Sequence, residues 1–202
     1  GASLLWFGWF GFNAGSAVAS GALATSAFVV THVATATAAL AWMAVEWIYR
    51  GKPTVLGAAS GAVAGLVAIT PASGFVGPMP AVIIGLVAGV LCYLAVLWKA
   101  KCGYDDALDV VGIHGVGGIW GALATGLFAS KAINAAGADG LFYGNPAQFG
   151  IQAMTVLISV GFAFVGTFVI LKLVGTMMPL CVKEEEERMG LDLSQHDERA
   201  YS

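Results

Sequence analysis

The chain reads as an all-α integral membrane protein, and three observations point there. It is 58% hydrophobic and only 10% charged, whereas soluble domains carry about 25% charged residues. Its apolar residues fall into six runs separated by Gly, Pro and charged breaks. Its lysines and arginines segregate to one side of those runs. A 202-residue chain of this composition could not cover its own surface in water. Basic residues are few and scattered, so no nucleic-acid surface is expected.

The first run covers about Ala2–Ala19 and closes at Gly21. The second, Leu23–Tyr49, ends at Arg50-Gly-Lys-Pro53. Val55–Thr70 precedes a turn-rich stretch from Pro71 to Pro80, and Ala81–Lys99 precedes a polar break from Lys101 to Asp106. Leu108–Ala129 and Phe149–Val174 flank a polar loop over 130–148. Each is read as a membrane helix. The first and third are short enough to end in irregular turns. Gly1 is already apolar and carries no signal-peptide marks. The reading is a piece whose N-terminal part is missing.

If six helices alternate, Arg50, Lys52, Lys99, Lys101, Lys172, Lys183, Arg188 and Arg199 share one side, and only Lys131 lies opposite. The positive-inside rule makes the rich side cytoplasmic. Residues 1–182 are then a multi-pass bundle and 183–202 a cytoplasmic tail. Glycines spaced by four (Gly11/Gly15, Gly57/Gly61/Gly65, Gly85/Gly89, Gly117/Gly121) suit close helix packing in a bilayer. Asp105, Asp106 and Asp109 cluster at the start of the fifth run, where acids cap a helix N-terminus. Glu46, near an inner helix end, is expected to make a loop or helix-end contact. Cys92, Cys102 and Cys181 match no zinc or redox spacing. No metal, cofactor or nucleophile–base pair is expected, and hence no enzyme.

Two features suggest a polar pathway. His114 sits within Gly112-Ile-His-Gly-Val-Gly-Gly118, inside an apolar span. Intramembrane ionisable groups are costly and commonly face a bundle interior or a pathway. A histidine that merely packs against a neighbouring carbonyl is the plainer reading. Leu5, Trp9, Phe12 and Ser16 are spaced by four, three and four, which puts them on one helical face. Aromatic faces attract cations, and a hydroxyl accepts a hydrogen bond from one. An aromatic core stripe with a capping serine would share that pattern. His32, beside Thr31 and Thr35, reads as a structural residue.

Gly8-Trp-Phe-Gly-Phe-Asn-Ala-Gly-Ser-Ala17 resembles the signature of the ammonium transporter (Amt) family. Asp109-Val-Val-Gly-Ile-His-Gly-Val-Gly-Gly118 resembles its second-histidine motif, and Thr70-Pro-Ala-Ser-Gly74 and Gly190-Leu-Asp-Leu-Ser-Gln-His-Asp-Glu-Arg-Ala-Tyr201 also match. The resemblance covers essentially the whole chain and favours the microbial and plant branch over the Rhesus type. It implies inverted five-helix repeats plus a last helix, assembled as a homotrimer in the cell membrane. This chain would hold the sixth to eleventh helices and the tail. It further implies Ser16 at an outer ammonium site, Phe12 in a gate, and Trp9, Leu5 and Val110 lining the narrow path. His114 would be the second of two pore histidines, its partner lying in the missing half. The tail, with Gly190, Asp192, His196 and Tyr201, would dock beneath the pores and couple to a PII-type regulator.

The chemistry fits those residue types. A bare ammonium ion in hydrocarbon carries a large Born penalty, while neutral ammonia is far easier to move. Low dielectric favours a neutral imidazole, which offers ammonia one donor and one acceptor. An ammonium sensor, signalling through the tail, is the alternative on the same fold. A carrier with helix-break sites would call for paired intramembrane acids, which the runs do not contain.

Overall fold

The computed structural model describes residues 1–199. It is helical, with no strand among the described residues. Six principal helices follow the chain: α1 (Ala2–Asn13), α2 (Ala22–Arg50), α3 (Val55–Ile69), α4 (Pro78–Cys102), α5 (Val116–Phe128) and α6 (Pro146–Gly175). Two short ones, α7 (Glu184–Met189) and α8 (Leu191–His196), lie in the tail. By length and composition α2, α4, α6 and the 18-residue stretch Val111–Phe128 can each cross a membrane. At about 1.5 Å per residue, the 12 residues of α1 and the 15 of α3 fall short of a ~30 Å hydrocarbon core.

Both short helices end in turns. The run expected to continue to Ala19 stops as an α-helix at Asn13. A 3₁₀ turn, Gly15–Ala17, follows, and Val18 then takes a left-handed φ of 52°. Beyond α3, turns through Ser73, Phe75 and Val76 carry the chain to Pro78, which enters the first turn of α4. There its missing N–H is no loss.

The chain divides into two compact units, Gly1–Val156 and Leu157–Ser202. In the first, α2 packs along both α3 and α4, and α3 also meets α1 and α5. The core joins Val30, Ala34, Ala68, Ile69, Ile84 and Ala124. A second cluster, nearer the Arg50 end of α2, holds Trp42, Ala64, Cys92, Tyr93 and Ile113.

Glycine sets how closely these helices approach. A Cβ on Gly65 would stand 2.6 Å from the Ala34 carbonyl oxygen, and one on Gly61 2.6 Å from Trp42 Cβ. A Cβ on Gly89 would meet the Ala38 carbonyl at 2.5 Å, and one on Gly121 would collide with the Ala68 backbone. Three of the four glycine rows are therefore packing devices. Gly11 and Gly15 have nothing within 4 Å.

Glu46 makes the expected loop contact. It is 3% exposed, and its carboxylate accepts from the Thr54 backbone N–H at 3.0 Å and from the Thr54 hydroxyl at 3.0 Å. Thr54 Oγ1 in turn caps α3 by accepting from the Gly57 N–H at 2.8 Å.

In the second unit, Lys183–Arg188 forms the solvated helix its charge pattern suggests, with Arg188 on Glu184 one turn back. Gly190, at φ 97°, joins α7 to α8. Ser194 Oγ donates to the Gly190 carbonyl at 2.9 Å.

Candidate functional site

Leu5, Trp9 and Phe12 share one face of α1, as their spacing predicts, and with Leu4 and Gly8 they line an apolar groove of about 310 Å³. The face is largely uncovered: Leu5 is 50% and Phe12 61% exposed. The Trp9 and Phe12 rings meet edge to face, 5.8 Å between centroids. Trp9 is anchored, its indole N–H donating to the Thr70 hydroxyl at 2.7 Å. Ser16 follows in the 3₁₀ turn, and its hydroxyl donates to the Phe12 carbonyl. Both oxygen lone pairs remain for a donor. Ser16 also borders a small pocket of about 180 Å³ with Asn13, Leu23, Ser73, Phe75 and Asn134. Asn13 is buried and held by α2: its Nδ2 donates to Thr31 Oγ1 at 3.0 Å, and Thr31 donates to the Ala27 carbonyl at 2.7 Å.

His114 lies on a π-helical segment, Val111–Gly115, that leads into α5. Such segments carry an extra residue per turn and recur at functional sites. Its start is fixed by acids, in keeping with the capping expectation. Asp106 accepts from the N–H groups of Val110 and Val111, each at 2.8 Å. Asp109 takes a left-handed φ of 56° and pairs with Lys99 of α4. Lys99 also donates to the Asp106 carbonyl at 2.7 Å. Irregular pitch loosens backbone bonds, and the Cys92 thiol reaches the Ile113 carbonyl at 3.7 Å. Gly112 and Ile113 face inward, while Val110 and His114 are exposed. Among the described residues no hydrogen bond involves the His114 side chain.

The structure thus gathers Leu5, Trp9, Phe12 and Ser16 on α1 and its following turn, and Val110 with His114 on the π segment. Helix α1 and the π segment both pack on α3 but not on each other. His32 is also exposed, yet its ring lies 5.3 Å from that of Trp6 and 6.1 Å from that of Phe10. In the tail, Gly190 links α7 to α8, Asp192 lies in the first turn of α8 and His196 in its last. Tyr201 lies outside the described residues.

Sequence reasoning missed Thr70, Thr31 and Lys99, which hold Trp9, Asn13 and the start of the π segment. Each is distant in sequence from its partner. Only the three clustered acids before Val110 hinted at a basic group nearby.

A model of the Ammonium Transporter Family matches residues 1–201. The chain belongs to the Ammonium Transporter Family. It is 53% identical over 202 residues to an ammonium transporter of Bacillus subtilis, covering 100% of this chain and 50% of that protein. An ammonium transporter of Aquifex aeolicus is 54% identical over 203 residues, covering 100% of this chain and 47% of its own length. The chain spans about half the length of these curated relatives. Among solved structures, Saccharomyces cerevisiae Mep2 superposes with a TM-score of 0.82 at 39% identity, over 88% of this chain and 43% of that one. A protein described as a sensor Amt protein superposes at 0.86 with 31% identity, over 96% of this chain and 47% of its own. The chain is therefore a helical membrane protein with the bundle of that family.

Proposed function

We propose that this chain supplies one wall of a hydrophobic conduit that carries ammonium, as ammonia, across the cell membrane. The observation that carries the reading is the pair of uncovered surfaces that both border α3. One is the Leu5–Trp9–Phe12 face, and the other is the π segment with Val110 and His114. In a bilayer an exposed imidazole and an open aromatic groove call for a partner other than lipid. A second half-bundle packed on those faces would close them into a tube.

The roles follow from chemistry. Ser16 accepts a hydrogen bond from ammonium at the outer mouth, above the aromatic faces of Phe12 and Trp9. Deprotonation there yields ammonia, which is far easier to pass through an apolar path. Leu5, Phe12 and Val110 exclude water and hydrated alkali cations. His114, with one histidine from the other half, offers ammonia a donor and an acceptor. Residues 1–182 form the membrane bundle, with its Lys- and Arg-rich side and residues 183–202 in the cytoplasm. The working assembly is a homotrimer whose tail, through Gly190, Asp192, His196 and Tyr201, meets a PII-type regulator. The sensor reading stays in view through the likeness to the sensor Amt protein.

The test is ammonium-driven current in proteoliposomes of the whole protein, this chain together with the half-bundle that closes the tube. Current evoked by ammonium and not by potassium is expected, with Phe12→Ala admitting potassium and Ser16→Ala lowering the apparent ammonium affinity several-fold. Absence of ammonium current in active reconstitutions would favour the sensor.

A further inference from the structure

A cavity of about 330 Å³ lies at the Arg50 end of α2, away from the α1 face and lined in part by Trp42, Glu46, Arg50, Thr54, Tyr93 and Asp109. Its charges are unevenly matched. Asp109 is already paired with Lys99. Glu46 is 3% exposed and is bonded only to Thr54, a neutral residue. Two donors occupy a carboxylate that has about four acceptor sites. A buried carboxylate without a cation is costly, and none reaches Glu46 among the described residues.

A second group, Tyr93, lines the same cavity. Tyr93 is 3% exposed, and its hydroxyl is buried with no hydrogen-bond partner. Buried hydroxyls are normally satisfied. Trp42, 4% exposed, meets the Tyr93 ring edge to face at 5.5 Å. A carboxylate, a spare hydroxyl and aromatic walls together suit a small cation with N–H donors. Arg50 is exposed and stands one helical turn beyond Glu46, about 6 Å along the axis. It would repel a simple cation at the rim but would receive an anionic group attached to one.

We infer that this cavity binds a primary ammonium group whose attached anionic group, a few atoms away, lies on Arg50. Glu46 and Tyr93 take the ammonium inside, with Trp42 beside it. A phosphoethanolamine headgroup has that chemistry, whether carried by a membrane lipid or free in solution. With the orientation proposed above, the end of α2 beside the loop at Gly51 would lie at headgroup depth.

The experiment is native mass spectrometry of the detergent-purified, delipidated protein titrated with short-chain phosphatidylethanolamine, short-chain phosphatidylcholine and free phosphoethanolamine. Phosphatidylethanolamine is expected to bind at least tenfold more tightly than phosphatidylcholine, whose quaternary head has no N–H. Glu46→Gln and Tyr93→Phe should each erase most of that preference. Tyr93→Phe removes one oxygen from a group that bonds no other residue, so folding is not at issue. Binding of free phosphoethanolamine as well as the lipid assigns a soluble ligand; binding of the lipid alone assigns the bilayer. Equal affinity for the two lipids, or a preference unchanged in Tyr93→Phe, would overturn the inference.

Discussion

The indole N–H of Trp9 donates to Thr70 Oγ1 at 2.7 Å, and Thr70 spends its own proton on the Leu66 carbonyl, also at 2.7 Å. Thr70 can therefore only accept from Trp9, and that fixes the ring plane along the α1 groove. Thr70→Val removes the acceptor while keeping the shape. A stranded indole N–H costs about 1–3 kcal/mol, so the melting temperature should fall by a few degrees. Ammonium-driven current should fall with it, and Thr70→Ser should restore both. Thermal unfolding followed alongside current would check this; full activity in Thr70→Val would mean that the ring needs no anchor.

Asp109 should matter in two separable ways. Its φ of 56° is tolerated better by Asn or Asp than by most residues, and its carboxylate pairs with Lys99. Asp109→Asn keeps the conformational ease and loses the charge, whereas Asp109→Ala loses both. Asn should keep more current than Ala. Indistinguishable variants would show that backbone conformation at Asp109 plays no part in placing His114.

The α3–α5 approach rests on Gly121, whose added Cβ would strike the Ala68 backbone. Backbone cannot swing aside as a flexible side chain can. Gly121→Ala should destabilise by about 1–3 kcal/mol, the usual overpacking cost. Gly11→Ala on α1, with nothing within 4 Å, should be neutral in the same detergent melting assay. An equal loss in both would refute the packing reading of the glycine rows.

Much of the bundle was legible in the sequence because a bilayer imposes long apolar runs, and close packing imposes small residues at intervals of four. Glu46 was legible for a similar reason, since a carboxylate near a helix end looks for loop N–H groups. Other features have no such period. Ala14 to Ala19 is as apolar as the helix before it, so hydropathy does not place the stop at Asn13, although Asn13, Gly15 and Ser16 are turn-forming residues. The π segment adds one residue to a turn, which hydropathy spread over a span cannot resolve. His114 could be placed in a span, but its exposure depends on how α5 packs on α3. Trp9 with Thr70, and Asn13 with Thr31, are tertiary pairings between residues of ordinary type.

The exposed imidazole of His114 is the feature on which the conduit reading turns. Solid-supported-membrane current from proteoliposomes of the whole protein carrying His114→Ala, against the unaltered whole protein, measures it. Loss of most ammonium-driven current, or admission of potassium, is the predicted result. Ammonium current and potassium exclusion both unchanged would remove His114 from the pathway and contradict the reading.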